Sequence, residues 1–193
     1  MGRRRSRWSV FAIAATLLLG LAPGLSAVAR DDAPRTQIEA AFLVNFVRFT
    51  QWPDARFNSR QSPYVVTVVG SEEVAEVVRE VADAAGLVHG RRISVRRMAA
   101  ADVRRQRMAL RASHVVFVHG SADLRVAPEV LDVVKGANVL TIGDSARFAR
   151  AGGMLGFVQV GSRLAFVANP DAIQSGGLSV SAKVLKLARD IET

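Results

Sequence analysis

The chain has 193 residues, a formal net charge of +9 and no cysteine. The length fits one domain. The absence of cysteine excludes a lipid-modified cysteine anchor, disulfide bonds and thiolate metal sites, so the core alone must hold the fold together.

The first 29 residues have the pattern of a secretory signal peptide. Four arginines between positions 3 and 7 precede an apolar stretch, Trp8–Leu21, and small residues then lead to Ala27-Val28-Ala29. This pattern predicts export to the periplasm, cleavage before Arg30 and one mature domain of residues 30–193. An uncleaved membrane anchor is the alternative, but Pro23 interrupts the apolar stretch before it reaches the roughly 20 residues of a membrane span.

Part of the positive charge belongs to this leader. Without its four arginines, Lys and Arg number 22 against 17 Asp and Glu, so the mature charge is +5. An exported protein of that charge meets anionic head groups and cell-wall polymers before it meets nucleic acid. No nucleic-acid partner is therefore predicted.

The first element of the mature chain is predicted to be a helix with an aromatic stripe. Its apolar residues recur at helical spacing, and they are Ile38, Ala41, Phe42, Phe46 and Phe49. Asn45 falls within this stripe. Trp52-Pro53 ends the helix, because proline disfavours a helical residue before it.

Downstream, short apolar strands alternate with amphipathic helices. The predicted strands are 64–69, 91–97, 114–118, 138–142, 154–160 and 163–168. The predicted helices begin after Ser71 and then cover 101–110, 126–134, 145–150 and Leu178–Ile191. This alternation favours a single α/β domain with a mixed, mostly parallel sheet flanked by helices. The two-residue connection Gly161-Ser162 adds a C-terminal antiparallel hairpin before the closing helix.

The first strand does not end in a nucleotide-binding turn. It leads to Glu72 and Glu73 instead of the glycines of a dinucleotide fingerprint. Carboxylates at a helix N-terminus complement the helix dipole and would repel an anionic ligand. The layering is thus Rossmann-like without the nucleotide motif, and no cofactor is predicted.

Polar residues at strand ends are the remaining candidates for chemistry. Open α/β sheets usually place ligands at such positions, which here hold His119, Ser121, Asp123 and Asp144. No G-x-S-x-G elbow surrounds Ser121, which is more simply a cap of a helix or turn. The three histidines, His89, His114 and His119, show no paired spacing on one helix. No catalytic or metal-binding residue is predicted.

Two groups of residues are candidates for binding a partner protein. Asn45, if buried in its aromatic stripe, either bonds the backbone of an adjacent loop or forms a recognition groove with Trp52 and Phe57. Arg91 and Arg92 belong to four arginines that flank one strand. These arginines either protect a solvated sheet edge or bind an acidic protein patch or membrane head groups.

Three parts of the chain resemble the YfiR family of periplasmic signalling proteins. They are Ile38–Pro53 with its N-F-x-x-F-x-x-W-P string, Gly152–Phe157, and Phe166–Asp171 followed by Leu178–Leu187. In order and spacing, the resemblance extends over residues 36–191.

The resemblance implies a non-enzymatic regulator with a mixed sheet flanked by helices. The family's namesake represses an inner-membrane diguanylate cyclase by engaging its periplasmic sensor region, and an outer-membrane-associated partner relieves the repression by sequestering it. The output is the level of cyclic-di-GMP, and hence biofilm formation and motility, and the characterised type forms dimers. The redox control of the namesake depends on cysteines, which this chain lacks.

The leading hypothesis is therefore a periplasmic protein that binds and represses an inner-membrane diguanylate cyclase or sensor kinase. The alternative is a periplasmic single-domain binding protein for a small solute or a cell-wall fragment. A third hypothesis, an exported hydrolase, requires that Ser121→Ala abolish a measurable activity.

Overall fold

The computed structural model describes residues 34–120 and 122–189, without the side chains of residues 122–124. The predicted signal peptide, residues 1–29, and its cleavage point lie outside the described residues. So do Ser121, the side chain of Asp123 and the end of the predicted closing helix at Ile191. The described residues all belong to one compact unit.

Helices and strands alternate along most of the described chain. The helices are α1 (Arg35–Phe49), α2 (Glu72–Ala85), α3 (Arg107–Arg111), α4 (Ala122–Val134), α5 (Ala146–Arg150), α6 (Pro170–Ser175) and α7 (Ala182–Leu185). The strands are β1 (Thr50–Gln51), β2 (Tyr64–Val69), β3 (Ile93–Met98), β4 (Val115–Val118), β5 (Leu140–Gly143), β6 (Leu155–Val160), β7 (Arg163–Ala168) and β8 (Ser179–Val180). Single 3-10 turns occupy Asp54–Arg56 and Ala100–Asp102.

Six strands form one sheet in the order β3-β2-β4-β5-β6-β7. The first five are parallel, and β7 pairs antiparallel with β6. The predicted α/β class with a mixed, mostly parallel sheet is confirmed. The direction in which the chain adds strands reverses between β2 and β4. In open α/β sheets, ligands bind outside the carboxyl ends of the strands at such a switch point.

The central strands lack polar alternation because helices cover both faces of the sheet. On one face, Val66 and Val68 of β2 share a core with residues of α1, α2 and the C-terminal segment. On the other face, Val69 of β2 and Val116 of β4 share a core with residues of α3, α4 and α5. The nearly continuous valine runs of the sequence therefore reflect burial on both sides.

Helix α1 buries a different set of residues from the predicted stripe. Its buried residues are Glu39, Ala40, Leu43, Val44, Phe46 and Val47. Asn45 is exposed, which contradicts its interpretation as a core residue, and its Oδ1 accepts a hydrogen bond from Arg48 at 3.3 Å. Phe49 is 39 % exposed. Apolar residues occur all around α1, so spacing alone does not select the inner face, which is decided by packing such as that of Phe46 on Phe166, with ring centroids 5.0 Å apart.

The predicted helix Leu178–Ile191 is wrong in its extent. Its beginning, Ser179–Val180, is β8, which pairs antiparallel with β1. The backbone N–H of Ser181 also donates to the carbonyl of Phe49, at 2.9 Å. Because this backbone pairs with a distant segment, it is not available for a first helical turn. The closing helix α7 begins only after Ser181, whose Oγ accepts a hydrogen bond from the N–H of Lys183 at 3.3 Å.

Two glycines leave room for Phe148, a side chain of α5 that is 1 % exposed. A Cβ atom on Gly143 or Gly153 would lie closer to the Phe148 side chain than real Cβ atoms come to any neighbour. Gly153 belongs to the glycine-rich segment that precedes β6. Its small size therefore serves the close packing of α5 against the sheet.

Candidate functional site

Two histidines lie at opposite ends of one central strand. His114 immediately precedes β4, and His119 immediately follows it. Histidine spacing along the sequence predicts no site at either position. In the folded chain each imidazole nevertheless lies among residues that come from several distant elements.

Glu39, His119 and Asp144 form what we call the carboxyl-end cluster. Nε2 of His119 lies 3.5 Å from Oε2 of Glu39 and 3.7 Å from Oδ2 of Asp144. One potential ligand atom from each of the three residues lies within 4.8 Å of the others. Glu39 is fully buried, whereas the side chains of His119 and Asp144 are 20 % and 18 % exposed, so solvent reaches the cluster.

Arg35 holds the second oxygen of each carboxylate in this cluster. Its Nε donates to Oε1 of Glu39 at 2.6 Å, and its Nη2 donates to Oδ1 of Asp144 at 2.6 Å. The N–H of Gly120 donates to Oδ2 of Asp144 at 3.1 Å. Oε2 of Glu39 is buried and has no hydrogen-bond partner among the described residues. The carboxylates are thus oriented so that Oε2 and Oδ2 face His119.

The three members of the cluster shift one another's pKa values. The interaction with Glu39 raises the pKa of His119 against the opposing effect of burial. Burial acts to raise the pKa of Glu39, but the interactions with His119 and Arg35 outweigh it and the pKa is lowered. Burial and the nearby Glu39 carboxylate raise the pKa of Asp144. The point between the three side chains therefore favours positive charge.

Sheet topology brings these residues together. The backbone N–H groups of His119 and Asp144 each donate to the neighbouring strand at 3.1 Å, so both residues continue the ladder at the carboxyl ends of β4 and β5. Their position at strand ends is predictable from sequence. Glu39 is missed, because an acid in an amphipathic helix is expected on the solvent face. Its position four residues after Arg35 is the only sequence signal for its pairing.

Trp52, Phe57, Tyr64, Arg91 and His114 form what we call the amino-end cluster. The ring of His114 stacks on Phe57 with centroids 4.7 Å apart, and it meets Trp52 and Tyr64 edge-on at 5.8 and 5.6 Å. The guanidinium carbon of Arg91 lies 3.9 Å from the centre of the Phe57 ring, a cation–π geometry. Three of the five predicted partner-binding residues thus meet at this end of the sheet.

His114 is held as a neutral ring. Its Nδ1 accepts a hydrogen bond from the N–H of Val65 at 3.0 Å, so the proton of the neutral ring is on Nε2. Burial, together with the positive charge of Arg56, lowers the pKa of His114 to about 4. Protonation at Nδ1 would also break the bond from Val65. His114 therefore packs as an aromatic group rather than acting as a cation.

The five predicted partner-binding residues differ in accessibility. Trp52 is 8 % exposed and its Nε1 donates to the carbonyl of His114 at 3.2 Å, so it is a core residue rather than the wall of a groove. Phe57 and Arg91 are half-buried, whereas Asn45 and Arg92 are exposed. Asn45 lies on α1 and does not belong to the amino-end cluster.

The four arginines in and just before β3 do not form one solvated edge. Arg92 and Arg97 are exposed, but Arg91 and Arg96 are half-buried. Arg96 donates to Oγ1 of Thr67 at 2.7 Å and also to Oγ of Ser113 at 3.0 Å. The interpretation as a solvated, protective sheet edge therefore applies only to Arg92 and Arg97.

An exposed apolar residue borders the amino-end cluster. Leu87 is 61 % exposed and lies two residues before His89, whose Nδ1 is 3.4 Å from the hydroxyl oxygen of Tyr64. We use the name amino-end surface for the accessible residues here, which are Phe57, Leu87, His89, Arg91 and Arg92. It combines apolar, aromatic and positively charged side chains.

A pocket of about 650 Å³ lies at the amino ends of β5 and β6 and contains no residue of either cluster. Its lining includes Asn138, Thr141, Gly152, Met154 and Ser175. The volume is within the range of sites for small molecules, roughly 300–1,000 Å³.

Comparison with known proteins adds to this description of the fold and its surfaces. The family model described as YfiR/HmsC-like matches residues 36–189. The chain belongs to the YfiR/HmsC-like family. Its members are periplasmic regulators in diguanylate cyclase signalling rather than enzymes.

A solved structure with a similar fold is a conserved domain protein from Vibrio cholerae O1 biovar El Tor. It is 12 % identical, with a TM-score of 0.58 over 80 % of this chain, and this chain spans 59 % of the length of that one. A search of curated proteins gave no match. In the described part of the chain, no helix combines the length and the apolar character of a membrane span.

Proposed function

We propose that this protein is an exported regulator that binds the periplasmic region of an inner-membrane diguanylate cyclase and represses it. The family match over residues 36–189 is the observation that carries this proposal. Residues 1–29 then serve as a signal peptide that is removed before Arg30, and residues 30–193 work in the periplasm. Repression lowers cyclic-di-GMP and thereby biofilm formation.

Repression by binding requires a difference in affinity between two states of the cyclase. The regulator must bind the inactive state more tightly, because a protein that binds both states equally shifts no equilibrium. Conversion of a mostly active cyclase into a mostly inactive one needs about a 10⁴-fold preference. An outer-membrane-associated protein that sequesters the regulator relieves repression by lowering its free concentration.

The amino-end surface is the proposed contact with the cyclase. It offers an exposed leucine, Leu87, together with the Phe57–Arg91 stack and the exposed Arg92. Aromatic and arginine side chains contribute most of the binding energy of many interfaces, and arginines favour acidic partners. An acidic patch with an apolar centre on the sensor region is the expected complement.

The first experiment measures cyclic-di-GMP in cells. Deletion of the gene should raise cyclic-di-GMP, and the full-length gene on a plasmid should restore the original level. A gene without codons 2–29 should not restore it, because the product stays in the cytoplasm. An unchanged level in the deletion strain contradicts repression of a cyclase and favours a sensor kinase as the partner.

The second experiment identifies the partner and tests the contact surface. Crosslinking in intact cells followed by mass spectrometry should capture an inner-membrane sensor. With its purified periplasmic region, Leu87→Asp and Arg92→Glu should each weaken binding by about tenfold, which is about 1.4 kcal/mol. Met108→Asp is the matched control, because Met108 is 70 % exposed on α3. Helix α3 packs on the face of the sheet opposite to α1, α2 and Phe57. Equal effects of Leu87→Asp and Met108→Asp would place the contact elsewhere.

The proposed regulator also forms a homodimer, as the family resemblance implies. Sedimentation of the leader-free protein at several concentrations measures this directly. A single monomeric species up to high micromolar concentration would remove the dimer from the proposal without affecting the cyclase contact.

The pocket beside β5 and β6 favours a second candidate function, the binding of a small solute or a cell-wall fragment. A thermal-shift screen should then find a molecule that raises the melting temperature in a saturable way, because a ligand of the native state stabilises it. Ser175→Phe places a ring at the exposed wall of the pocket and should abolish the shift. Gln174→Phe changes the exposed neighbouring residue, which does not line the pocket, and should retain the shift.

A further inference from the structure

We propose that the carboxyl-end cluster binds a divalent transition-metal ion such as Zn²⁺, with Glu39, His119 and Asp144 as its ligands. The site joins α1 to the carboxyl ends of β4 and β5, and it lies next to the switch point of the sheet. It goes beyond the proposed regulation and does not depend on it.

The distances between the three ligand atoms fit a small cation. Nitrogen and oxygen ligands lie 2.0–2.2 Å from Zn²⁺, and a tetrahedral arrangement then separates neighbouring ligand atoms by roughly 3.3–3.6 Å. Nε2 of His119 lies 3.5 Å from Oε2 of Glu39 and 3.7 Å from Oδ2 of Asp144. The ligand atoms of the two carboxylates also lie within 4.8 Å of each other.

A buried carboxylate oxygen independently points to a cation here. Glu39 is 0 % exposed, and its Oε2 accepts no hydrogen bond of good geometry within the described residues; its polar neighbour is Nε2 of His119, at the ion-pair distance of 3.5 Å. A buried, charged acceptor that lacks a good hydrogen bond is unfavourable. A metal ion between Oε2 and His119 would satisfy this oxygen directly.

The surrounding groups orient the ligands in the way that outer partners do at metal sites. Arg35 bonds Oε1 of Glu39 and Oδ1 of Asp144, which leaves the second oxygen of each carboxylate for the ion. The N–H of Gly120 fixes Oδ2 of Asp144. With the neutral imidazole that metal ligation requires, two carboxylates and one guanidinium sum to a charge of −1, so a divalent cation is attracted to the site.

The ligand set also restricts the kind of ion. One imidazole nitrogen with two carboxylate oxygens suits Zn²⁺, Fe²⁺ or Mn²⁺, whereas Ca²⁺ prefers oxygen ligands alone. Three protein ligands leave a coordination position for water, and the partial exposure of His119 and Asp144 provides access.

Titration calorimetry with ZnCl₂ tests the site on leader-free protein without a polyhistidine tag. One Zn²⁺ should bind per chain, and Zn²⁺ should raise the melting temperature, because the ion joins a helix to the sheet. His119→Gln and Asp144→Asn should each weaken Zn²⁺ binding by at least about tenfold. His89→Gln is the matched control, because His89 is an exposed histidine outside the cluster, and it should change the affinity less than twofold.

Cobalt supplies a second readout that reports coordination directly. Co²⁺ in a site with an imidazole ligand and low coordination number should give visible d–d absorption, which His119→Gln should remove and His89→Gln should retain. Circular dichroism of the metal-free variants checks that each is folded. If His119→Gln does not fold, Asp144→Asn provides the same test.

Several results would overturn the metal site. These are no saturable binding of Zn²⁺, binding lost in His89→Gln, or binding unchanged in both His119→Gln and Asp144→Asn. The regulatory proposal survives each of them, because its test uses the amino-end surface.

Discussion

The two ends of β4 place the same residue type in opposite surroundings. His114 and His119 are five positions apart, yet the pKa of His114 is lowered to about 4 by burial and the positive Arg56, whereas that of His119 is raised by Glu39. The residues that neighbour each histidine along the strand do not reveal this difference in pKa. Residues from α1, the 3-10 turn after β1 and the loop after β5 decide the chemistry of each imidazole.

The two clusters at the ends of β4 also differ in what they contribute, stability at one end and charged groups at the other. The amino-end cluster is a set of stacked rings with His114 at its centre, and it holds the segment after α1 onto the sheet. The carboxyl-end cluster presents charged atoms to solvent at the edge where open α/β sheets bind ligands. One strand thus carries a structural histidine at its start and a histidine available for chemistry at its end.

The largest expected effect is at the amino end, where the rings pack in the core. Trp52→Ala should lower the free energy of unfolding by about 3–5 kcal/mol, because it leaves a cavity beside Tyr64 and removes the bond to the carbonyl of His114. Urea unfolding of the leader-free protein measures this. Phe49→Ala is the control, since Phe49 is 39 % exposed, and should cost under about 1 kcal/mol. Similar small losses for both would show that Trp52 is not structural.

The second prediction uses the low pKa of His114. The folded pKa of about 4 lies below the ordinary value of 6.5, so between these pH values the unfolded state binds more protons. Stability should therefore fall as pH falls from 6.5 to 4, by up to about 3 kcal/mol from this group. His114→Asn keeps an acceptor for Val65 N–H and should flatten this part of the curve.

The control for that pH experiment is His89→Asn, because His89 is exposed. Its curve of unfolding free energy against pH should follow that of the unsubstituted protein. If the curve of His114→Asn also follows that of the unsubstituted protein, the interpretation of His114 as a neutral packing group is wrong.

The third prediction concerns the contribution of Arg35 to stability at the carboxyl end of the sheet. Arg35→Ala should lower the free energy of unfolding by about 1–2 kcal/mol, because Oε1 of the buried Glu39 loses its donor. The effect is modest because the Arg35 side chain is 47 % exposed and solvent screens its charge. Arg48→Ala on the exposed side of α1 should cost under about 0.5 kcal/mol. Equal unfolding free energies for the two variants would exclude a structural role for Arg35.

The smallest expected effect concerns the Phe57–Arg91 stack. A double-mutant cycle with Phe57→Leu and Arg91→Gln should give a coupling energy of about 0.5–1 kcal/mol, the usual value for a partly exposed cation–π pair. Denaturant unfolding of the four proteins supplies the cycle. Additive effects would mean that Arg91 is held only by its bonds to the carbonyls of Ser59 and Ser62.

Much of the fold follows from local patterns. The apolar runs of β2, β4 and β5 are strands at nearly the predicted positions, and the glycine turn between β6 and β7 makes them antiparallel. Ser71 caps α2 as predicted, with its Oγ accepting from the N–H of Val74 at 3.4 Å. These features depend on short stretches of chain, where burial and capping act on adjacent residues.

The errors come from contacts between distant segments. The inner face of α1 and the limits of the closing helix were mispredicted, because both depend on packing and pairing with residues far along the chain, as in the β1–β8 pairing. The same cause hides Glu39, whose burial becomes tolerable only beside Arg35 and His119.

The sequence by itself determined the class of the fold, the order of its strands along the chain and the family, since these depend on hydrophobic periodicity and local motifs. The tertiary structure alone decided which residues share a site. Crossover connections bring Glu39, His119 and Asp144 to one edge of the sheet, and they gather Trp52, Phe57 and Arg91 around His114 at the other. Charge and burial act over a few ångströms in space, whatever the separation along the chain, so only the folded chain assigns each histidine its role.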